Sequence, residues 1–518
     1  MKRNRLIITA GLALVASPAC VSIKSDTEAA EQRTAAAIEL ANGLTYKRAD
    51  LAGSGGSTKW WISLGVARNQ TETDAAAGCS LALGLESRRI NFEFPGSSEG
   101  QYSEVVAGDF STRAQAESYL NGRQLGPKCT AQIRASGLYP SDQSHPTVIH
   151  VLTVDPTQFR GELIAARGAQ GASGVSKPSV VMQVKSALAA TNGGFFVMEE
   201  ADGIVGESAG ISVLNGSLQS EATRGRPWVE ITNRPRIRVT IRQGEPKQGP
   251  ALVAADGRRM PLDGINRKPG LLRNCGALLD RSFEAPVHDV TCKPGDELIA
   301  ITQDSGLRDH AQSGQTAYEL RADGALHLLG DRFQSDQSST RLIASGRRRA
   351  ELQSFAQQGV TFRLSLGQFE DNQRTPGVFA VNGGPALVSK GRPLRRADVQ
   401  GWPFFGVNRE QAGEIHKFVD LRAPRTALGT TASGQIILVV VDGWRYRTDK
   451  QPQVPMNGGA TLAELTTIML ELGAVEAINL DGGGSSVMSF RGAVASNPSD
   501  DQGERPVGDS LLLMPSGR

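Results

Sequence analysis

Short apolar runs that end in Asn or Asp followed by glycine are the main pattern along this chain. Three of them are ALAATNGGFFV (187–197), VFAVNGGPALV (378–388) and EAINLDGGGSSVM (476–488), and a fourth, IILVVVDGW (436–444), ends in Asp-Gly. Apolar runs bounded by turn residues predict buried β-strands. The pattern therefore predicts strands that each end in a polar side chain and a flexible backbone.

Two interpretations of these strand ends are open. Asn-Gly or Asp-Gly between apolar runs is the strongest hairpin signal in a sequence, so each copy alone is explained by a type I′ turn. Four copies in one domain favour convergence of the strand ends on a polar pocket. In the third copy, Gly482, Gly483 and Gly484 remove Cβ atoms, and Ser485 and Ser486 add hydroxyl groups, which indicates an anion-accepting loop.

Residues 59–137, which precede these segments, alternate between strand-like and helix-like patterns. WWISLGVARN, INFEF, YSEVVAGDF and TAQIRA are typical of strands, and TETDAAAGCSLALGLE and STRAQAESYLNGRQ are typical of helices, the second capped by Ser111 or Thr112. The predicted order is βαββαβ. The predicted fold class is therefore α+β, a small βαββαβ domain followed by a larger mixed α/β domain over residues 146–515.

One helix of the larger domain is marked by both of its ends. Thr461 and Glu464 have the spacing of a capping box, an apolar stripe follows, and Gly473 ends the helix. Because this helix immediately precedes the strand that leads to Asp481, we expect it to pack beneath the site and position it.

The N-terminus has the pattern of an export signal. Basic residues at positions 2, 3 and 5 precede an apolar stretch, 6–16, that is too short to span a bilayer, and 17–19 are small. Cleavage before Cys20 would leave the N-terminal cysteine of a bacterial lipoprotein, although residues 17 and 18 depart from the usual lipobox. We expect a signal peptide over 1–20, lipidation of Cys20, and a periplasmic or cell-envelope location.

Residues 21–58 are rich in Ala, Glu, Thr and Gly. Such a composition buries little apolar surface, so the segment is predicted to be a flexible linker between a membrane anchor and the folded domains.

The cysteines agree with export. Without Cys20, four remain, and Cys79 with Cys129 and Cys275 with Cys292 each lie within one predicted domain. In an oxidising compartment they are predicted to form two disulfides, the alternative being that some stay free thiols. No Cys or His spacing indicates a metal site, and no cofactor is expected.

Charge bears on the class of partner, and chain length bears on the number of domains. The 56 basic residues nearly balance the 53 acidic ones, and neither basic runs nor interleaved aromatic residues mark a nucleic-acid surface. The 518 residues exceed one ordinary core, so two or three domains are expected.

A G-x-S-x-G match at residues 206–210 is not interpreted as a serine hydrolase site. A nucleophile elbow requires a helix after the serine, and the following ISVLNGS indicates strand and turn instead. We therefore expect Ser208 not to be a nucleophile. Glu207 is a candidate catalytic carboxylate near the first Asn-Gly-Gly, with a solvated loop glutamate as the alternative.

Four segments together carry a family resemblance. NGGFF, PRTALGTTASGQIILVVVDGW, TLAELTTIMLELGAVEAINLDGGGSSVM and SNPSDDQGERPVGDSLLL follow one another as in the phosphodiester glycosidase family. The similarity extends from residue 146 to 515, and its C-terminal third is the most specific part. The resemblance implies hydrolysis of a glycosyl phosphodiester, or a related glycosidic bond, in cell-envelope glycan.

The chemistry of this reaction selects candidate residues. Glycosyl transfer to water usually needs two carboxylates, and Asp481 and Asp442 stand at strand ends beside glycines. A phosphate leaving group needs a cation, a role that suits Arg425 first and Arg505 second. Alternatively, Arg425 pairs with a buried carboxylate and Asp442 caps its turn. Predicted substrate-binding residues also include Asn192, Gly193, Gly194, Asn382, Gly383, Gly384, Asn479 and the loop Gly482, Gly483, Gly484, Ser485 and Ser486.

Residues 59–137 resemble a SPOR domain in WISLGVARN and VVAGDFSTRAQAESYL. This implies binding to peptidoglycan strands that lack stem peptides, and the alternative is a ferredoxin-like spacer without a ligand. Two rival functions stay open, a non-catalytic peptidoglycan-binding protein and a peptidoglycan glycosidase that acts without phosphate. The expected partners are a carbohydrate or glycosyl-phosphate substrate, peptidoglycan, and a membrane through the lipid anchor only.

Overall fold

The structure is a computed structural model that describes residues 32–93, 101–126, 129–168, 174–244, 249–275, 287–305, 314–329, 339–367, 376–394, 400–444 and 457–517. The predicted signal peptide and the predicted lipidation site at Cys20 lie outside these residues. Among the helices within them, none has the length and apolar character needed to cross a membrane.

A long antiparallel sheet forms the centre of the larger domain. Its strands lie in the order Gln32–Thr34, Leu44–Leu51, Thr147–Val154, Ile436–Val441, Arg425–Thr431, Ala474–Asn479, Ala386–Ser389 and Arg392–Pro393, and Ile38–Ala41 pairs with Leu44–Leu51. Successive side chains of a strand point to opposite faces, so the sheet contributes to two cores. Val439 and Val441 pack toward helices, whereas Leu438 and Val440 pack toward other sheets.

The central sheet includes part of the predicted linker, residues 21–58. The prediction of a flexible segment is wrong for residues 38–51, which form two of its strands. Leu44 and Tyr46 are buried, and Tyr46 Oη lies 2.8 Å from His150 Nδ1 on the neighbouring strand. The sequence LTYKRADL does alternate as a half-buried strand, but its Ala- and Gly-rich surroundings favoured the linker interpretation.

Two five-stranded sheets cover one face of the central sheet. The first has the order Ala493–Val494, Met488–Phe490, Ala189–Asn192, Ser510–Met514 and Glu162–Ala166, and the second has the order Ser217–Ser220, Ser212–Leu214, Val378–Asn382, Pro227–Thr232 and Arg238–Gln243. The strands that end in Asn192, Asn382 and Asn479 therefore belong to three different sheets.

Smaller sheets form the middle of the chain. Strands Arg259–Pro261, Ala251–Ala254 and Phe362–Ser365 form one, strands Gly264–Ile265, Leu298–Ile301, Thr340–Ser345, Gln315–Leu320 and Leu326–Leu329 form another, and Leu272–Arg273 pairs with Thr291–Cys292 as a short hairpin. The predicted disulfide between Cys275 and Cys292 closes this hairpin.

Six helices occur in the described part of the chain: α1 (Gln70–Leu83), α2 (Arg113–Asn121), α3 (Pro178–Val184), α4 (Gly346–Gln357), α5 (Arg409–Val419) and α6 (Leu462–Glu471). Helix α6 begins as predicted, because Thr461 and Glu464 form a capping box. Its Leu465 and Met469 share a core with Ala477 of the following strand, so it lies beneath the segment that ends in Asp481.

The first folded unit has the predicted βαββαβ order. Its sheet runs Ser87–Glu93, Gln101–Phe110, Trp60–Ala67 and Gln132–Ala135, and α1 and α2 cover one face. The predicted disulfide between Cys79 and Cys129 joins α1 to the segment before the last strand. We call this unit the N-terminal module.

The other face of the module's sheet packs on α5 of the larger domain. Glu104 accepts hydrogen bonds from His416 Nε2 and from Arg134 Nε, each at 3.0 Å. Tyr102 Oη lies 2.7 Å from His416 Nδ1. Tyr102, Glu104 and His416 are all buried, so the module is joined to the larger domain through buried polar groups.

Candidate functional site

The Asn-Gly-Gly segments connect sheets and are not hairpin turns. The strand Ala189–Asn192 pairs with Met488–Phe490 and Ser510–Met514, and no strand that directly follows it returns alongside. The strand Val378–Asn382 likewise pairs elsewhere, and the chain after it enters the central sheet. The hairpin interpretation is therefore wrong for both Asn-Gly-Gly segments.

Asn192, Asn382 and Asn479 link three loops in a closed ring. Asn192 Nδ2 donates to the main-chain oxygen of Asp481 at 2.7 Å. Asn479 Nδ2 donates to the main-chain oxygen of Gly384 at 2.8 Å. Asn382 completes the ring, because it accepts from the N–H of Phe195 at 2.9 Å and donates to its oxygen at 3.1 Å.

This ring gives the three asparagines a positioning role in place of the predicted contacts with sugar. All three are buried, and each amide NH2 group donates to a main-chain oxygen, whereas Asn479 Oδ1 has no partner among the described residues. Asn192 Oδ1 also accepts from Thr426 Oγ1 at 2.8 Å and from Val487 N at 3.2 Å. Buried polar groups need such partners, and these bonds fix where the strand ends lie relative to one another.

Asp481 stands at the junction of these loops. Its N–H donates to Gly193 O at 3.1 Å, and its Oδ1 accepts from Gly482 N at 2.9 Å. The residue is half-buried, so it is surrounded by protein and still reachable by a ligand. Burial raises the pKa of Asp481 to about 7, and nearby Asp289 acts in the same direction, against Ser485 and Arg505.

The glycine loop after Asp481 folds into a tight turn over Gly483–Ser485. Gly483 N donates to Pro424 O, Ser485 N to Gly482 O, and Ser486 N to Gly483 O. These N–H groups already have acceptors, so the predicted anion-accepting nest is not open at these positions. The lack of side chains instead allows another group to lie against the loop.

The group that lies against the glycine loop is the side chain of Arg505. A Cβ at Gly484 would lie 2.5 Å from Arg505 Cζ, so the guanidinium rests directly on the bare backbone. Arg505 Nε donates to Asp500 Oδ2 at 2.7 Å, and its side chain is 27% exposed. Its charge lowers the pKa of Asp481 against the effect of burial. Arg505 therefore lies beside Asp481, and its role as a phosphate-binding cation stays a prediction.

Arg425 has a structural role in place of the predicted phosphate contact. Its Nε donates to Ala460 O at 2.8 Å, and its Nη2 donates to Phe418 O at 2.6 Å and to Leu421 O at 3.0 Å. The side chain is fully buried, which lowers its pKa to about 10. A guanidinium enclosed by three carbonyl groups holds α5 to the sheet and does not face a ligand.

Asp442 is also anchored inside the protein. Its Oδ2 lies 3.0 Å from His150 Nε2, and its Oδ1 accepts from Asn497 N at 2.9 Å. Asn497 begins the loop that carries Arg505, so Asp442 holds that loop in place. Because Asp442 is buried, the geometry supports this positioning role over the predicted acid or base role.

Glu207 is buried as well, and is not a solvated loop residue. Its Oε2 accepts from Ile204 N at 3.0 Å and from Lys268 N at 3.3 Å. Burial raises its pKa to about 7. The adjacent Ser208 accepts a hydrogen bond from Arg167, and the strand Ser212–Leu214 follows it, as expected for a serine that is not a nucleophile.

Asp509 is a site residue that the sequence analysis missed. Its Oδ1 accepts from Gly194 N at 2.8 Å, and its main-chain oxygen accepts from Gly193 N at 3.1 Å. Burial raises its pKa to about 6, against the charge of Arg167. The sequence signal is an aspartate that directly precedes an apolar strand, in GDSLLL.

A second missed group comes from the middle of the chain and lies against the first Asn-Gly-Gly segment. The His288 ring contacts Phe195, which follows the first Asn-Gly-Gly, at a centroid distance of 4.6 Å. Asp289 is close enough to raise the pKa of Asp481. No motif marked these residues. Among the described residues, no cluster of three His, Cys, Asp or Glu side chains is placed to hold a metal ion.

Comparisons with known proteins confirm the family resemblance. The sequence profile of the phosphodiester glycosidase family matches residues 310–514. The N-acetylglucosamine-1-phosphodiester alpha-N-acetylglucosaminidases of Bos taurus and Homo sapiens are each 37% identical over 91 residues, which is 18% of this chain. The match spans only 15% and 16% of those relatives' own lengths.

One solved structure is similar over almost the whole chain. It is a protein of Burkholderia pseudomallei K96243 described as exported, with a TM-score of 0.76 and 26% identity. The alignment covers 94% of this chain and 97% of that one. The shared fold thus includes more than the region that the family profile matches.

Proposed function

Because residues 310–514 match the phosphodiester glycosidase family, we propose that this protein is an exported hydrolase that cleaves a glycosyl phosphodiester, or a related glycosidic bond, in cell-envelope glycan. The observation that carries the proposal is the placement of Asp481 and Arg505 at one glycine loop. A proton-transfer group and a cation for phosphate lie side by side there, and hydrolysis of a sugar-1-phosphate diester uses both.

Asp481 suits the proton transfer. With a pKa of about 7, it is present in both protonation states near neutral pH, which is favourable for an acid or a base. In the proposed reaction, a water oxygen bonds to the anomeric carbon and releases one proton to a base, and the bond from that carbon to the phosphate oxygen breaks. The electron pair leaves with the phosphate, and the Asp481 carboxyl donates its proton to that oxygen.

Arg505 suits the leaving group. Its guanidinium is partly exposed and its present partner, Asp500, is a single carboxylate. A phosphate with two free oxygens can accept a bidentate pair of hydrogen bonds from the Arg505 guanidinium. The substrate would therefore compete with Asp500 for Arg505.

The test is a substrate screen with matched variants. Purified protein is incubated with the methyl diester of N-acetylglucosamine-1-phosphate, with a neutral aryl N-acetylglucosaminide, and with glycan strands freed of stem peptides. Release of methyl phosphate, lost in Arg505→Ala and kept in Arg242→Ala, supports the proposal. Arg242 is a suitable control because it pairs only with Glu230 on an exposed strand in the described residues. Turnover of the neutral glycoside or the glycan alone would contradict it.

The envelope location and the module's ligand belong to the same proposal. A relative described as exported supports export, and the resemblance of residues 59–137 to SPOR domains supports peptidoglycan binding. Full-length protein should be enriched on amidase-treated sacculi over untreated ones, and equal recovery would remove that role. Cys20→Ala should release the protein from the membrane fraction if Cys20 carries lipid.

A further inference from the structure

Next to the short paired strands Leu272–Arg273 and Thr291–Cys292 lie two residues in an uncommon backbone conformation. Asn274 and Asp289 have positive φ angles of 58° and 63°, and Asp289 N donates to Asn274 Oδ1 at 3.0 Å. Residues other than glycine adopt such angles rarely, and they are concentrated at functional sites. The disulfide between Cys275 and Cys292 closes the hairpin beside them.

A chain of hydrogen bonds connects this hairpin to the loops around Asp481. Asn274 Nδ2 donates to Ala209 O at 2.6 Å, and Ala209 N donates to Phe195 O at 2.9 Å. Phe195 directly follows the two glycines, of which Gly193 accepts from Asp481 N. Asp289 is therefore fixed relative to Asp481 through a short, buried path.

His288 adds a second support. Its ring packs against Phe195, Trp402 and Phe418 at centroid distances of 4.6, 4.8 and 5.1 Å, and its Nδ1 accepts from Arg226 at 3.0 Å. Burial lowers its pKa to about 3, so the imidazole is neutral at working pH. A neutral, enclosed imidazole orients its neighbour and is unsuited to proton donation.

Asp289 itself is accessible and ionised. Its side chain is 69% exposed, and Arg273 Nη2 lies 2.6 Å from its Oδ1. Although burial acts to raise the pKa of Asp289, the charge and hydrogen bond of Arg273 lower it. The pKa of Asp481 moves in the opposite direction, to about 7. Two interacting carboxyl groups whose pKa values are driven apart are the arrangement that assigns one as acid and the other as base.

We propose that Asp289 is the second carboxylate of the hydrolytic site and acts on water while Asp481 protonates the leaving phosphate. In this step Asp289 takes a proton from water, the water oxygen bonds to the anomeric carbon, and the bond to phosphate breaks with its electron pair on oxygen. Asp481 returns one proton to that oxygen. The inference rests on the proposed function and replaces Asp442, which is buried, as the partner of Asp481.

The test compares Asp289→Asn with Asp202→Asn in the full-length, oxidised protein. Both aspartates pair with Arg273, Asp202 at 3.1 Å, so each substitution removes one carboxylate from the same arginine. Only Asp289 is among the residues that raise the pKa of Asp481. Hydrolysis of the methyl diester of N-acetylglucosamine-1-phosphate is measured from pH 4 to 9, and thermal unfolding checks the fold.

We expect Asp289→Asn to lower kcat by about a hundredfold or more, the usual range for a general base, while Asp202→Asn stays within about threefold of the parent. Loss of the negative charge should also move the basic limb of the residual pH profile to lower pH, because Asp481 then loses its proton more readily. Equal effects of both variants, or an unshifted limb, would overturn the inference. A parent protein that does not cleave the diester at all would instead overturn the proposed function.

Discussion

The guanidinium of Arg505 lies on the backbone of Gly484, where a Cβ atom would come within 2.5 Å of Arg505 Cζ. Gly484 has no positive φ angle, so alanine is compatible with its backbone, and the three atoms nearest to the added Cβ all belong to Arg505. The glycine loop therefore leaves room for a cationic side chain beside Asp481.

Gly484→Ala should displace Arg505 without unfolding the protein. We expect KM for a phosphodiester substrate to rise about tenfold, which corresponds to one charged hydrogen bond of about 1.4 kcal/mol, while a neutral glycoside is unaffected. Steady-state kinetics on both substrates measures this. Gly413→Ala is the control, because no atom of the described residues lies within 4 Å of its added Cβ. An unchanged KM in Gly484→Ala would show that Arg505 does not hold the phosphate.

Asp481→Asn should abolish most of the turnover while keeping the fold. Asparagine preserves the acceptor for Gly482 N but removes the proton-transfer group, so kcat should fall about a hundredfold or more. Asp501→Asn, an exposed carboxylate in the loop that carries Arg505, should have the activity of the parent. Residual activity within tenfold of the parent would exclude Asp481 as the acid.

The same substitution should stabilise the protein at alkaline pH. Asp481 has a pKa of about 7 in the folded protein, above the value of about 3.9 of an unfolded chain, so ionisation destabilises the fold as pH rises between them. Asp481→Asn should raise Tm by a few degrees at pH 8 and leave it unchanged near pH 4. Thermal unfolding at the two pH values measures this, and an equal change at both would contradict the assigned pKa.

The ring formed by Asn192, Asn382 and Asn479 predicts that a conservative substitution at Asn382 lowers both stability and activity. Asn382→Asp replaces the donor to Phe195 O with an acceptor, which should cost about 1–3 kcal/mol of unfolding free energy and lower kcat by shifting the first loop. Asn91→Asp is the control, because Asn91 is exposed and, among the described residues, only its oxygen has a partner, Ser103. Denaturant unfolding and kinetics of both variants test this. If Asn382 bound sugar instead, KM would rise with no loss of stability.

The sequence predicted the parts of the site that depend on local pattern. Apolar runs and glycines located Asp481 at a strand end, and the Thr461 capping box located the helix beneath it. Side-chain partners depend on residues far away in the chain, so no local pattern showed that Arg425 is enclosed by carbonyl groups or that Asn479 bonds to Gly384. Asp289 was missed for the same reason.

For the N-terminal module, local structure could be predicted from the sequence, but its contacts with the larger domain could not. Its periodicity gave the βαββαβ order and its cysteine count gave the disulfide. Its attachment was not predictable, because a buried pair such as Glu104 and His416 is 312 residues apart in the chain. A histidine on a helix face and a glutamate in a strand carry no sign of each other in the sequence.

That buried pair should set the pH range of greatest stability. Burial acts to raise the pKa of Glu104, but His416 and Arg134 outweigh it and lower the value to about 2. Burial acts to lower the pKa of His416, but Glu104 and Asp420 outweigh it and raise the value to about 9. The Glu104 contribution is complete above about pH 4.5 and is lost as pH falls toward 2, whereas the His416 contribution is complete below about pH 6.5 and is lost as pH rises toward 9.

Glu104→Gln should therefore lower the unfolding free energy by about 3–5 kcal/mol between about pH 4.5 and 6.5, because it removes the carboxylate from the buried Arg134 and leaves His416 with the more distant Asp420. Denaturant unfolding from pH 3 to 9 measures the effect, and Glu117→Gln, an exposed partner of Arg113 on α2, is the control. The difference from the parent should shrink as pH rises toward 9, since His416 loses its charge there. A loss that is small at every pH would mean that the module is held to α5 by apolar packing alone.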